Sequence, residues 1–444
     1  MSDLIFEYEA YRKLYEWLFK SELETCAILR STSVKGQGAT RLLVNYADFP
    51  PDDAYADRTG NAVQLKPEYI APIVKKAKID KQHLIFVHTH PFTSGIPSFS
   101  PIDDLGEKIL LHFLNNRKIA GPHVALLMGP HGSVARELGQ NVSMRVIRVG
   151  SQVNIISDII DRRAFDPMFD RQIRAFGTLG QSILGRLKIG IVGVGGTGTH
   201  VIQQLAHLGV EDFLLIDPDV VELSNLNRLV GATTNDVDQP KVSVAERTIQ
   251  SIRSNAVISA KIESVLNAST ARLLVDTDFF FCCTDSHGSR AVLNQVAYQY
   301  LLPCIDMGVS ISSTNSIVTH VTGRVQMLAP GLPCLVCGDL LDPDKVRYDL
   351  MTPYQRQSDP YFLGEGEPEP AVISLNATMA SLAVTMFLGA VLGIPAKARY
   401  QIYNGINGQV RSIAGHPNKT CVVCSKLGSL AKGDTWPLPA RTEE

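Results

Sequence analysis

The 444-residue sequence predicts an α/β protein of two domains. Three observations carry this. Residues 187–198, LKIGIVGVGGTG, read as a buried strand that runs into a glycine turn and then a helix. Short apolar strands are interspersed with segments of helical period along the chain. The composition, 45% hydrophobic and 19% charged with a net charge of −2, gives ample core for more than one domain. The expected boundaries are 1–150 for the first domain, 151–168 for a linker and 169–444 for the second.

In the first domain, residues 8–19 place Tyr11, Leu14, Tyr15, Leu18 and Phe19 at helical spacing. Residues 24–29 and 42–46 read as strands, and 70–78 as a helix. The apolar strand 84–87 ends in His88-Thr89-His90-Pro91. Residues two apart on a strand share a face, so both imidazoles can point at one metal, and Pro91 stops the strand. Ten residues beyond His90, Ser100-Pro101-Ile102-Asp103 leads into a helix over 105–114. The same four residues also fit a helix-capping box with Pro101 at the first helical position.

Glu24, then His88-x-His90, then Ser100-x-x-Asp103 together resemble the signature of the JAMM (JAB/MPN) metalloprotease family, over residues 5–150. The resemblance implies a cytidine-deaminase-like α/β domain with a catalytic zinc held by His88, His90, Asp103 and a water. It implies Glu24 as general acid/base and Ser100 as hydrogen-bond donor to the tetrahedral oxyanion. Zinc lowers the pKa of its water to near 7, and a carboxylate within reach moves the proton. Glu22 is the alternative carboxylate. Nine residues separate His90 from Ser100, where the family usually has seven, and Ser98 is the competing serine.

Residues 153–163 read as an amphipathic connecting segment, followed by Phe169-Asp170-Arg171-Gln172-Ile173. In the second domain, Gly193, Gly195, Gly196 and Gly198 let a phosphate approach backbone N–H groups, and the helix 200–208 adds partial positive charge. Alone, this turn fits any nucleotide, a dinucleotide included. The strand 213–216 ends at Asp217, 19 positions past Gly198, which suits a ribose hydroxyl. Then come Ser224-Asn225-Leu226-Asn227-Arg228, Gln239-Pro240-Lys241 and, after the strand 279–282, Cys283-Thr284-Asp285. Arg228 and Lys241 suit a triphosphate, and Asp285 suits Mg²⁺.

That series resembles the ThiF/MoeB/HesA adenylyltransferases and the adenylation domains of ubiquitin-activating enzymes, from residue 169 to 424. The resemblance implies a Rossmann-like domain in which Gly193, Gly195, Gly196 and Gly198 cradle ATP and Asp217 holds its ribose. Asn225, Arg228 and Lys241 would contact the phosphates and Asp285 would bind Mg²⁺. Arg171 matches the arginine that reaches into a partner subunit's ATP site, which implies a homodimer. The implied reaction is attack by a protein's C-terminal glycine carboxylate on the α-phosphate, with Arg228 and Arg171 stabilising the charge.

Of the eight cysteines, Cys334, Cys337, Cys421 and Cys424 form two C-x-x-C pairs that suit a structural zinc. Cys26, Cys282, Cys283 and Cys304 lie in apolar, strand-like settings and read as buried structural thiols. Residues 339–371, polar and proline-rich, read as a mobile loop. In the resembled family this region crosses the substrate tail. With no cysteine between Cys337 and Cys421, no thioester cysteine of its own is expected.

The near-neutral charge argues against nucleic acid as the main partner. The N-terminus lacks a signal-peptide pattern. The apolar run 379–394 is broken by Ser381, Thr385, Gly389 and Gly393 and reads as a core or dimer helix rather than a membrane span. A cytoplasmic location is expected. The two resemblances together imply a bifunctional enzyme. One half adenylates a ubiquitin-like or sulfur-carrier protein, with a separate conjugating enzyme as a further partner. The other trims that protein or removes it from conjugates. The alternative is a peptide-modifying adenylyltransferase with a small product, its metal domain serving as peptidase or binding module.

Overall fold

The computed structural model describes residues 2–156, 166–315, 317–358 and 370–442. The chain divides into two units, one of 1–160 with 431–437, the other of 161–430 with 438–444.

The first unit runs β1 (Asp3–Glu7), α1 (Tyr8–Leu18), β2 (Cys26–Lys35), β3 (Thr40–Asp48), β4 (Tyr55–Arg58), β5 (Val63–Leu65), α2 (Pro67–Ile79), β6 (His83–Thr89), α3 (Pro101–Asn116), β7 (Val124–Gly129), β8 (Gly132–Glu137), β9 (Ser143–Val149) and β10 (Val153–Ile155). The main sheet has the order β1-β3-β2-β6-β7-β8-β9-β10, and β1 pairs with β9 as well as β3. Leu4 therefore sits opposite both Leu42 and Val146. Because β1 spends both of its edges, the sheet closes and is barrel-like. The unit is α/β, as expected, with its helices set against a barrel-like sheet.

Alternation along the strands sorts the core. Ala27, Leu29, Ile85, Val87, Leu126 and Met128 pack with Tyr11, Leu14 and Leu18 of α1. Ile28, Leu84 and Ala125 face the other way, onto α2 and Leu114 of α3. The even-numbered face of β2 and β6 thus looks toward α3, which decides where the histidines meet it. The amphipathic segment expected over 153–163 begins instead as β10, antiparallel to β9. Its residues 157–163 lie outside the described ones.

The second unit runs α4 (Asp170–Leu184), β11 (Lys188–Val192), α5 (Gly196–Leu208), β12 (Asp212–Ile216), α6 (Lys241–Ile252), β13 (Val257–Lys261), α7 (Ala268–Arg272), β14 (Phe279–Cys282), α8 (His287–Gln299), β15 (Cys304–Thr314), β16 (Ile317–Leu328), α9 (Pro343–Leu350), α10 (Pro353–Ser358), α11 (Ile373–Val391), β17 (Tyr400–Asn404) and β18 (Gln409–Ser412). Its sheet has the order β13-β12-β11-β14-β15-β16-β17-β18. The first five strands are parallel and the last three join antiparallel. From β11 the chain winds outward through β12 to β13, then returns as β14 on the other side of β11. That reversal opens a crevice at the carboxyl ends of β11 and β14, where such sheets bind ligands.

Helix α11 is long and apolar enough to cross a membrane. Here it is a core helix: Met379, Ala380, Ala383 and Phe387 are fully buried, and Phe387 packs on Phe279 and Phe281 with ring centroids 5.0 and 5.6 Å away. The loop expected over 339–371 contains α9 and α10, while residues 359–369 lie outside the described ones. Residues 431–437 return to the first unit, where Thr32 Oγ1 donates to the Ala431 carbonyl at 2.6 Å and Lys35 N donates to Asp434 Oδ2 at 3.1 Å.

Candidate functional site

In the first unit, Cys26 pairs with His88, so the residues before β2 and the end of β6 lie side by side. Glu24, just ahead of β2, is only 6% exposed. Its backbone is held on both sides: its N–H donates to Thr59 O at 2.8 Å and its carbonyl accepts from Arg58 Nε at 3.1 Å. The capping box forms as well, with Ser100 N donating to Asp103 Oδ2 at 2.6 Å and Asp103 N donating to Ser100 Oγ at 3.3 Å. The two readings of Ser100 to Asp103 are therefore compatible. The cap fixes the Asp103 carboxylate at the helix start and leaves the Ser100 O–H as a donor.

The structure brings these side chains together. His88 Nε2 is 3.0 Å from Asp103 Oδ1, and His90 Nε2 is 3.7 Å from Asp103 Oδ2 and 3.6 Å from Glu24 Oε1. Ligands at zinc–nitrogen and zinc–oxygen lengths on a tetrahedron stand about 3.3 Å apart, so these separations fit one ion. His88 Nε2 is buried and faces the Asp103 carboxylate. Burial raises the Glu24 pKa. Burial lowers that of His90, and the neighbouring His88 adds to the fall. Burial alone would raise Asp103, but the His88 imidazole and Ser100 outweigh it and hold the carboxyl well below its usual range. Glu22 and Ser98, the alternatives, are exposed. Sequence reading missed Arg136 of β8, which donates from Nε to Glu107 Oε1 at 3.0 Å and stacks on Phe99, so anchoring α3.

In the second unit, the glycine turn leaves β11 at the crevice. Gly193 has φ +90°, and its N–H donates to Ile216 O at 2.9 Å. Gly195 caps α5, and Gly196 and Gly198 lie in its first turn. Asp217, at the end of β12, is 4% exposed and holds the turn: Oδ2 accepts from Val194 N at 2.6 Å and Oδ1 from Asp219 N at 2.9 Å. Burial raises its pKa, and these two backbone donors oppose the rise. Lys241, at the start of α6, pairs with Asp219 at 2.7 Å. Arg228 is half-buried and donates to Ser224 O at 2.7 Å.

The glycine turn, Asp217, Arg228 and, through Asp219, Lys241 form one cluster. Asn225 is different: its amide is spent locally, accepting from Glu222 N at 3.2 Å and donating to Ser224 Oγ at 3.2 Å. Asp285 is exposed ahead of α8, two residues past Cys283, whose carbonyl faces Gly193. Arg171 is exposed on the first turn of α4. Sequence reading passed over Asn376. This lone amide in the apolar α11 is 2% exposed and lies against Gly196.

The four cysteines converge. Cys334 Sγ is 3.6 Å from Cys421 Sγ, Cys337 Sγ is 3.4 Å from Cys424 Sγ, and all four sulfurs lie within 4.8 Å of one another. Four sulfurs around zinc stand about 3.8 Å apart, so the cluster fits that ion. The N–H groups of Cys337, Val423 and Asn418 point at sulfur at 3.3–3.4 Å, as donors to thiolate do. The sequence spacing alone was enough to find this site.

A ThiF family model matches residues 169–423. The molybdopterin-synthase adenylyltransferase of Escherichia coli is 28% identical over 260 residues, covering 58% of this chain and 96% of that protein. The sulfur carrier protein ThiS adenylyltransferase of Escherichia coli is 24% identical over 245 residues, covering 55% and 88%. The adenylyltransferase and sulfurtransferase MOCS3 of Arabidopsis thaliana is 25% identical over 260 residues, covering 58% of this chain and 51% of its own length. Among solved structures, MccB of E. coli with ATP aligns at a TM-score of 0.46 and 20% identity, over 60% of this chain and 76% of that one.

Proposed function

The chain belongs to the ThiF family, and from that premise we propose that its second unit adenylates the C-terminal carboxylate of a ubiquitin-like or sulfur-carrier protein. The observation that carries this is the glycine turn at the strand reversal, with Asp217, Arg228 and Lys241 gathered around it. A carboxylate oxygen attacks the α-phosphorus of ATP, and the bond from that phosphorus to the bridging oxygen breaks. Pyrophosphate leaves with the electron pair. The helix N-terminus, Arg228 and Lys241 bear the phosphate charge, Asp285 would hold Mg²⁺ to supply further positive charge, and Arg171 serves the site of a second copy. The activated carrier then passes to a sulfur donor or a conjugating enzyme. The proposed setting is the cytoplasm, in keeping with cysteines that form no disulfide.

Exchange of labelled pyrophosphate into ATP, driven by small Gly-ending carrier proteins, tests the reading. Arg228→Ala should cut exchange at least about 100-fold, the scale seen when one charge-stabilising donor is removed. Absence of exchange with every carrier defeats it.

For the first unit we propose a zinc-dependent peptidase acting on the same carrier's C-terminus. Support comes from the His88, His90 and Asp103 donor set with the buried Glu24 beside it. Zinc there would supply an activated water, and Glu24 would move its proton. The second reading is a module that binds the carrier without cutting it. Glu24→Gln separates the two. A peptidase keeps its zinc and loses cleavage, whereas a binding module is unchanged in every activity.

A further inference from the structure

We propose that Asn376 reads the last peptide group of the incoming chain, so that the second unit activates a peptide-like C-terminus and rejects a simple carboxylic acid. The inference rests on the adenylation reading above and names what that site selects.

Asn376 sits in the first turn of α11, between Leu375 and Ala377, and is 2% exposed. Its Oδ1 is buried without a hydrogen-bond partner. A buried polar atom of this kind is costly and needs an explanation, and an unseen ligand is one. Its position supplies the ligand's address. A Cβ placed on Gly196 would fall 2.2 Å from Asn376 Nδ2 and 3.4 Å from Arg228 Cδ. The amide therefore lies over the phosphate-gripping turn, beside the arginine proposed to bear the phosphate charge. The missing side chain at Gly196 is what makes room for it.

The chemistry of an amide then limits what binds. Asn376 carries one acceptor and two donors on a neutral group. Oδ1 can accept the N–H of the substrate's terminal residue while Nδ2 donates to its carboxylate. A peptide end offers that N–H and that oxygen together; acetate offers only the oxygen. A carboxylate at position 376 would repel the substrate, whereas a neutral amide does not. During the step, one substrate oxygen forms the bond to the α-phosphorus and the other becomes the acyl carbonyl, still facing Nδ2. The electron pair leaves on pyrophosphate, and no proton is transferred.

The test measures binding to the full-length protein of three probes. These are AMP, 5′-O-(N-acetylglycyl-sulfamoyl)adenosine, which keeps the N–H, and 5′-O-(acetylsulfamoyl)adenosine, which lacks it. The wild type should bind the acetylglycyl analogue about 10-fold or more tighter than the acetyl one, as sites built around a substrate N–H do. In Asn376→Ala and Asn376→Leu, that ratio should collapse to about 2-fold or less, with AMP affinity within about 2-fold of wild type. Asn376→Leu keeps the branched side-chain shape without the amide and guards against a collapsed pocket. An unchanged ratio in both variants overturns the proposal, and so does an AMP affinity that falls as far as the analogue's. If the wild type binds AMP but does not distinguish the analogues, the inference fails and the adenylation reading stands. If it binds none of the three, both fall.

Discussion

Two glycines two positions apart can be kept for opposite reasons, and Gly193 and Gly195 separate those reasons by experiment. At Gly193, φ is +90°, where an alanine costs about 1–2 kcal/mol. Its Cβ would also lie 2.7 Å from the Cys283 carbonyl oxygen and 2.8 Å from the carbon. Neither neighbour can retreat, because Gly193 N is bonded to Ile216 O at 2.9 Å and Cys283 N to Val192 O at 2.8 Å. Overpacking of that kind adds about 1–3 kcal/mol. Gly193→Ala should therefore destabilise the second unit by about 2–5 kcal/mol and weaken ATP binding as well. At Gly195 the backbone is extended, with φ −87°, and no atom lies within 4 Å of the added Cβ. Gly195→Ala should cost less than about 1 kcal/mol of stability, the cap preference alone, yet fill the space a phosphate needs. Thermal unfolding and ATP calorimetry on both variants check this. If Gly195→Ala binds ATP like the wild type, the open face of the turn is not the phosphate site, and the argument fails.

Cys424→Ser should remove one equivalent of zinc from the purified protein by mass spectrometry and lower its melting temperature, since structural metal binding is folding free energy. His88→Ala should remove a second equivalent and leave the four-cysteine ion in place. Asp306 is fully buried and pairs with Arg324 and, at 3.5 Å, with Arg290. Asp306→Ala should cost about 3–5 kcal/mol in denaturant unfolding, because it strands buried charge. His123 is 4% exposed, with Nδ1 accepting from Leu84 N at 3.1 Å, and burial lowers its pKa to about 4. The unfolded chain binds that proton near pH 6.5, so the stability of the first unit should be full above that pH and fall as the pH drops toward 4, by at most about 3 kcal/mol. Unfolding followed from pH 7 to 4 should show the decline, and His123→Asn should flatten it.

What the sequence disclosed follows from how local each signal is. The strand 187–192, its glycine turn and the helix after it are set by neighbours in the chain, and β11 and α5 appear there. Paired cysteines announce a four-sulfur cluster of a geometry that fits zinc across more than eighty residues, because the spacing of each pair is itself the signal. His88, His90 and Asp103 were legible because a strand period and a helix cap place them, and Glu24 because it precedes the strand beside them. The double role of Asp103 was not a conflict. The hydrogen bond that caps α3 is the same one that orients the carboxylate.

What stayed hidden depends on pairing between distant segments. Nothing in Asp3 to Glu7 says that the strand will use both edges, and that one fact turns an open sheet into a closed one. Residues 431–437 carry no apolar pattern to advertise their return to β2, since they dock through Thr32, Ser33 and Lys35 by backbone and polar contacts. Asn376 had a signal that was overlooked: a single amide among apolar residues at the start of a buried helix. Such a residue weakens the helix core unless something outside the helix uses it. The reason for it appears only when α11 is laid against Gly196, because the amide fits there only in the absence of a side chain. A glycine in a phosphate turn is ordinarily explained by the phosphate. Here Gly196 also makes room for a side chain from 180 residues away, so a side chain placed at 196 should displace the Asn376 amide.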